Sequence, residues 1–332
     1  MKLSWNSLII IVLVLSSCHQ NEKTSDKDDM VWIASNTFNM GTNDQRAYDP
    51  EMPSHKVKVK GFWMDKTEVT NLQFKAFTEA TNYKTVAERE IIWEDFKQQL
   101  PEGTAKPADS LLVPGSIVFI QPEQPVNPTN PSLWFSWVTG ANWQHPEGPQ
   151  SNLSGRWDHP VVHIAYEDAL AYATWNGKRL PTEAEWELAA QSNIMDNPWE
   201  NRGNSTLANT FQGIFPYKNA LTDGFLITAP VKSFPPNQLG LYDMIGNVWE
   251  WTSDWYHTSY YKSLDAKQVT DNPIGAKSFY DPNEPYTPKR VIKGGSFLCS
   301  NAYCSNYRVS ARTGSAIDTG TSNVGFRCVK DE

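Results

Sequence analysis

Helical periodicity shows in three short stretches of this chain, each fenced by its own start or stop residues. Thr70-Asn-Leu-Gln73 reads as a capping box, in which the Thr70 hydroxyl accepts from the Gln73 amide and the Gln73 side chain reaches back. Leu72, Phe74, Phe77 and Ala80 then supply an apolar stripe. A second helix is predicted over Tyr166–Trp175, closed by Gly177 in the left-handed region. A third starts at the capping box Thr182-Glu-Ala-Glu185, after Pro181, and continues through Trp186 and Leu188 to Ala190. Three helices this short cannot enclose the core of a 332-residue chain. Strands and loops must supply the rest, which predicts an α+β fold with little regular secondary structure.

The strand signals agree with that reading. Residues 30–33 and 37–41 predict a short hairpin, and residues 56–65 alternate like one half-buried strand. Residues 84–150 are Pro-rich and weakly periodic, and beyond Ala190 the chain reads as turns and short strands. Fourteen Trp among many Asn, Gly and Pro suit a compact, loop-rich fold better than a bundle. No internal repeat or linker is visible, so residues 30–332 are expected to form one domain.

The first residues predict export. Lys2 is followed by an apolar run, Leu8-Ile-Ile-Ile-Val-Leu-Val-Leu15, too short to span a bilayer stably. It ends in Leu15-Ser16-Ser17-Cys18, similar to a bacterial lipobox, which implies a signal peptide over 1–17, cleavage before Cys18 and acylation of its thiol. An ordinary cleaved signal with an incidental cysteine is the alternative. Residues 18–29 are polar and charged and suit a solvated tether. The expected location is outside the cytoplasm, lipid-anchored in the periplasm or at the cell surface. Cleavage removes Lys2, leaving 28 basic against 37 acidic residues, or −9, which argues against a nucleic-acid partner.

Cys299 and Cys304 stand out among only four cysteines. On a helix, positions five apart are rotated by about 500° and point to different sides. On a strand an odd separation places them on opposite faces. They can meet only if the segment bends, and Ser300-Asn301-Ala302 offers a polar bend. Two readings are open at this point: a local disulfide or unrelated core thiols, and a soft-metal or redox pair.

Four motifs carry a resemblance. Gly177-Lys-Arg-Leu-Pro-Thr-Glu-Ala-Glu-Trp-Glu187, Gly240-Leu-Tyr-Asp-Met-Ile-Gly-Asn-Val-Trp-Glu-Trp251, Lys293-Gly-Gly-Ser296 and Asn323-Val-Gly-Phe-Arg-Cys328 resemble the formylglycine-generating (sulfatase-modifying factor) family. The segments Gly140-Ala-Asn-Trp-Gln-His-Pro-Glu-Gly-Pro149 and Asp158-His-Pro-Val-Val162 are similar to parts of its enzymes. The resemblance implies an elaborated C-type-lectin-like fold. It implies oxygen-dependent oxidation of a cysteine in sulfatase polypeptides, within a Cys-x-Pro-x-Arg-like motif, to Cα-formylglycine. Cys299 and Cys304 then match the Cu(I) ligands, with Ser296 beside them as a hydrogen-bond donor or as the cap of the Gly294-Gly295 turn. Arg308, Asn323 and Trp249 match positions near the peptide groove, although Arg308 could instead pair with a buried carboxylate.

The resemblance also implies two structural Ca2+ sites. Asn209 and Asp223 would give side chains to the first, with the carbonyls of Thr210 and Phe225. Asp243 and Glu250 would give side chains to the second, with the carbonyls of Gly246 and Val248. The positions matching the family's disulfide partners are Ala173, Ala190 and Val309, which leaves Cys328 as a buried free thiol. His159 and His163, on a strand, would stand about 13 Å apart, too far to share an ion, and His145 reads as a loop hydrogen-bonder. The competing functions are a non-catalytic lipoprotein of the same fold, in surface assembly or motility, and an extracellular glycan-binding protein.

Overall fold

The computed structural model describes residues 29–45, 47–191, 207–265, 267–300, 303–304 and 306–332. The signal segment, Cys18 and most of the tether lie outside the described residues. The three expected helices form where their caps put them. Helix α1 spans Asn71–Thr81, with Gln73 N–H donating to Thr70 Oγ1 at 3.3 Å and Thr70 N–H donating to Gln73 Oε1 at 2.9 Å. Its buried face differs from the expected stripe: Asn71, Phe74 and Phe77 point inward, while Leu72 and Ala80 are exposed. Asn71 sets that rotation, because its buried Nδ2 donates to the Arg156 carbonyl at 2.8 Å. Helix α2 spans Tyr166–Trp175, and Gly177 takes φ 64° so that Lys178 N–H reaches the Ala173 carbonyl at 2.8 Å.

Helix α3, Glu183–Gln191, is buried along nearly its whole length, glutamates included. Buried carboxylates need partners, and each has one. Glu183 meets Arg312 at 2.7 Å, Glu185 meets Arg179 at 2.7 Å and Glu187 meets Lys293 at 2.9 Å. Lys293 stands immediately before the Gly294-Gly295-Ser296 turn, so α3 anchors the segment that leads to Cys299.

The strands pair differently from the sequence reading. β1 (Met30–Ile33) and β2 (Asn36–Met40) are both present but do not form a hairpin with each other. The predicted strand over 56–65 is split at Lys60-Gly61 into β3 (His55–Val59) and β4 (Phe62–Asp65). β1 pairs with β4 and β2 with β3, each antiparallel, in separate sheets. Gly61 permits the break, since a Cβ there would run into the Trp32 indole. The weakly periodic stretch contains a hairpin that the sequence reading missed, β5 (Gly115–Phe119) with β6 (Phe135–Thr139).

The central sheet has four strands. β8 (Lys289–Lys293) lies between β7 (Trp249–Trp255) and β9 (Thr313–Ala316), antiparallel to both. β10 (Val324–Gly325) runs parallel to β7. β11 (Val329–Lys330) closes the β1–β4 sheet. Between these layers the aromatic residues pack edge to face, as Phe74 does with Trp143 at 5.3 Å and Phe326 at 6.4 Å. Each such ring removed from water contributes roughly 2–3 kcal/mol, which is how so irregular a chain holds together. This is an α+β fold in which loops carry most of the length. No helix among the described residues is long and apolar enough to cross a membrane.

Candidate functional site

β8 delivers the chain to a tight turn. Gly294 and Gly295 take φ 94° and 75°, and a Cβ on Gly295 would press on Cys299 Sγ and the Tyr307 backbone. Ser296 follows, fully buried, and its carbonyl accepts from Cys299 N–H at 2.9 Å. The expected bend after Cys299 forms at Ser300, whose carbonyl accepts from Cys304 N–H at 3.0 Å. Asn301 and Ala302 lie outside the described residues. The bend brings Cys299 Sγ to 3.1 Å from Cys304 Sγ, and both thiols are free. That separation is well beyond a disulfide bond of about 2.05 Å.

The two sulfurs are not equivalent. Cys299 is 1% exposed, and its hydrogen bond to Cys304, together with burial, raises its pKa well above the usual thiol range. Cys304 is partly exposed and its pKa is lowered. The Cys299 contact is the largest cause, with help from the backbone and side chain of Asn306 and from the Arg308 charge. Cys299 is therefore the sulfur that holds its proton more firmly, and Cys304, open to one side, is the more readily ionised. Two adjacent soft sulfurs, one already inclined to ionise, suit a soft monovalent cation and disfavour harder ions.

The surroundings are mostly apolar. Cys299 belongs to a buried cluster with Tyr307, Trp249 and Phe326. Phe297 and Leu298 belong to a second, with Trp134, Phe211 and Phe215. Tyr303 stacks on Phe215 at 4.4 Å and meets Trp134 edge-on at 6.1 Å. Asn323 Nδ2 donates to Ser296 Oγ at 3.1 Å, and Trp249 N–H donates to the Asn323 carbonyl at 2.9 Å. Cys299, Cys304, Ser296, Asn323 and Trp249 thus form one neighbourhood. Arg308 turns to the fully buried Glu51, its two terminal nitrogens each 2.6 Å from a carboxylate oxygen. Glu51, Asn306 and Tyr303 escaped the sequence reading, and only the proximity of the last two to Cys304 in the chain could have flagged them.

The expected cation ligands fall on loops next to this site, except Glu250, which lies on β7. Asn209 Oδ1 is buried without a hydrogen-bond partner, as an oxygen aimed at a cation would be. Asp223 Oδ2 accepts from Thr210 N–H at 3.1 Å, and Asp223 Oδ1 accepts from Phe225 N–H at 3.0 Å, so one loop gathers all four residues. In the second set, Asp243 takes a left-handed φ of 55° and burial pushes its pKa up to about 6. Glu250 receives Arg327 Nε and Trp186 Nε1 on Oε2 at 2.7 and 2.8 Å, and a second Arg327 nitrogen on Oε1 at 2.7 Å. That occupies about three of a carboxylate's four acceptor sites and leaves room for one more bond. Glu68, which the sequence reading overlooked, is buried close by with Oε2 unpartnered. Burial and the charges of Asp243 and Glu250 raise its pKa well above the carboxylate range. Three buried acids gather around Arg327, an excess of negative charge that suits a bound cation. Among the described residues no three His, Cys, Asp or Glu groups converge on one point, so carbonyl oxygens, those of Thr210 and Phe225 in the first set and of Gly246 and Val248 in the second, would have to complete each shell.

The other candidates resolve simply. The strand expected through residues 159–163 is absent, because Pro160 makes only a lone bridge to Thr70 and His163 takes φ 62°. His159 Nδ1 bonds Thr228 Oγ1 at 2.9 Å and His163 Nδ1 bonds Ser116 Oγ at 2.8 Å, so the pair serves different partners. His145 Nδ1 bonds the Ser151 carbonyl at 2.6 Å, as a loop hydrogen-bonder should. Cys328 is fully buried and free. Ala173 and Ala190 are fully buried and Val309 packs on the second core cluster.

Comparison with known proteins adds four findings. Residues 16–332 match the family model described as sulfatase-modifying factor enzyme 1-like domain. The chain is 41% identical over 308 residues to the formylglycine-generating enzyme of Mus musculus, covering 91% of this chain and 75% of that one. It is 32% identical over 337 residues to the inactive C-alpha-formylglycine-generating enzyme 2 of Bos taurus, covering 99% and 96%. Among solved structures, PvdO from Pseudomonas aeruginosa superposes with a TM-score of 0.59 at 23% identity over 91% of this chain and 94% of that one, a likeness of fold alone.

Proposed function

The chain belongs to the sulfatase-modifying factor family, and from that membership we propose that it converts a cysteine of client sulfatases, in a Cys-x-Pro-x-Arg-like motif, to Cα-formylglycine. Membership alone does not decide activity, since one relative is named inactive. The carrying observation is the pair of free thiols 3.1 Å apart at a partly open face.

In this reading Cys299 and Cys304 hold Cu(I), which supplies redox chemistry with dioxygen when bound. The chain's own residues do the rest. Cys304 presents the more readily ionised sulfur and Cys299 the buried anchor. Ser296 Oγ accepts from Asn323 and keeps its own proton to donate toward a ligand at the pair. The Trp134–Phe215–Tyr303 wall excludes water from one side. The Asn209/Asp223 and Asp243/Glu250 sets hold structural Ca2+, and Cys18 carries a lipid that tethers the domain outside the cytoplasm.

The test is incubation with Cu(I), dioxygen and a Cys-x-Pro-x-Arg peptide, followed by hydrazide capture of the aldehyde. The expected result is aldehyde from the wild type and none from Cys299→Ser. Absence of aldehyde from any such peptide would sink the proposal in favour of a non-catalytic lipoprotein.

A further inference from the structure

We propose that the free edge of β6 receives the client polypeptide by strand addition, carrying it from the cysteine pair to an apolar pocket beyond Trp137. This rests on the reading above that the client is a polypeptide. The alternation of the hairpin fixes which groups face outward. Ile120 N–H donates to the Trp134 carbonyl and Gly140 N–H to the Pro114 carbonyl, both at 2.9 Å, just past the two ends of the ladder. With the observed register, Ser116↔Val138 and Val118↔Ser136, the even-numbered residues of β6 bond to β5. Phe135, Trp137 and Thr139 therefore direct their N–H and C=O groups away from it.

β5 is closed on its far side: Ile117 N–H donates to the Gly320 carbonyl at 3.2 Å and Ser322 N–H to the Ile117 carbonyl at 2.9 Å. β6 has no such neighbour among the described residues. Edge strands normally carry a Lys, a Pro or a bulge that blocks pairing. Phe135-Ser-Trp-Val-Thr139 carries none of these, and its register is unbroken.

Both ends of the edge lead somewhere. At its start, Trp134 meets Tyr303, the neighbour of Cys304. At its end, a cavity of about 540 Å³ is lined by Ile92, Phe96, Leu111, Pro114 and Trp137. Gly115 makes room for the indole, because a Cβ there would come within 3.1 Å of Trp137 Nε1. The pocket's ionisable groups are the acids Glu90, Asp95, Glu167 and Asp318 and one base, Arg89, which pairs with Glu167. The lining thus favours a client that is apolar and basic, like the flank of a motif containing Arg. Five residues of β6 span about 13 Å between first and last Cα, so a client must run extended for roughly four residues to reach the pocket.

The test uses the whole chain and two kinds of peptide: a minimal Cys-x-Pro-x-Arg peptide, and versions lengthened by six residues on one side or the other. One lengthened version should show about a tenfold lower KM with kcat unchanged. N-methylation of alternate amides in that extension should abolish the gain in one register and spare it in the other. Thr139→Pro, which removes an outward N–H and no ladder bond, should abolish it too, whereas Thr139→Val should keep it. Equal effects of both methylation registers, or no gain from either extension, would overturn the proposal. Anisotropy of a fluorescent lengthened peptide with Ser in place of Cys separates this proposal from the activity. Tight binding sensitive to Thr139→Pro upholds the docking edge even without turnover. Self-association of the protein that Thr139→Pro abolishes would assign the edge to a second copy and overturn it.

Discussion

The main-chain carbonyl of Asn247 accepts from Phe297 N–H at 2.9 Å, and that bond joins the buried acidic cluster to the cysteine loop. Asn247 is fully buried, takes φ 55° and donates through its side chain to Glu68 Oε1 at 3.0 Å. It also accepts from Ala229 N–H at 2.9 Å and Asn209 Nδ2 at 3.1 Å. Asn tolerates the left-handed region better than most residues and here satisfies three neighbours at once. Asn247→Ala should cost about 2–4 kcal/mol in urea unfolding. A loss below about 1 kcal/mol would show that the junction is not held by this side chain.

The unequal thiols predict unequal reactivity. A neutral alkylating agent at pH 7 should modify Cys304 well before Cys299 or Cys328, both buried with raised pKa values. Peptide mapping of partly labelled protein gives the order. Loading with Cu(I) should protect Cys304, and Cys299→Ser should remove that protection. Equal labelling of all three cysteines would contradict the assigned asymmetry.

Arg308 and Glu51 form a pair whose acid is fully buried. Removing the cation alone leaves that carboxylate without its partner, so Arg308→Ala should destabilise by about 3 kcal/mol or more. Adding Glu51→Gln should restore most of the loss. If Arg308→Ala instead raises KM for a peptide and leaves the unfolding midpoint in place, the residue serves the client and not the fold.

Calcium should bind the folded chain in preference to the unfolded one. At about one hundred times its Kd a single site adds about 2.7 kcal/mol, which in a domain this size is several degrees of Tm. Chelation should lower Tm by that amount, and Asn209→Ala should remove most of the response. A transition that ignores both chelator and added Ca2+ would end the assignment of either site.

Burial lowers the pKa of His163 to about 4 in the folded chain, against about 6.5 when exposed. Its depressed folded value means that its share of stability is present above pH 6.5 and disappears as the pH falls toward 4. The full difference is on the order of 3 kcal/mol. Buried acids with raised pKa values, such as Asp168 and Asp254 at about 7, act in the opposite sense. The comparison with His163→Gln isolates the histidine: the stability gap between the two proteins should narrow from pH 6.5 to pH 4. A gap independent of pH would show that the ring is not buried in its neutral form.

The sequence alone determined the local features. The capping boxes at Thr70 and Thr182, the stop at Gly177 and the bend after Cys299 depend on bonds reaching at most five residues along the chain, so their signals are written in adjacent residues. The four motifs placed the chain in its family for the same reason. Tertiary structure decided what faces what. It sent β1 and β2 to different sheets, turned α1 onto Asn71 in place of Leu72 and gave Arg308 a partner 257 residues away. Those outcomes minimise unpaired buried polar groups and unfilled space across the whole molecule, a condition that no short window of residues contains.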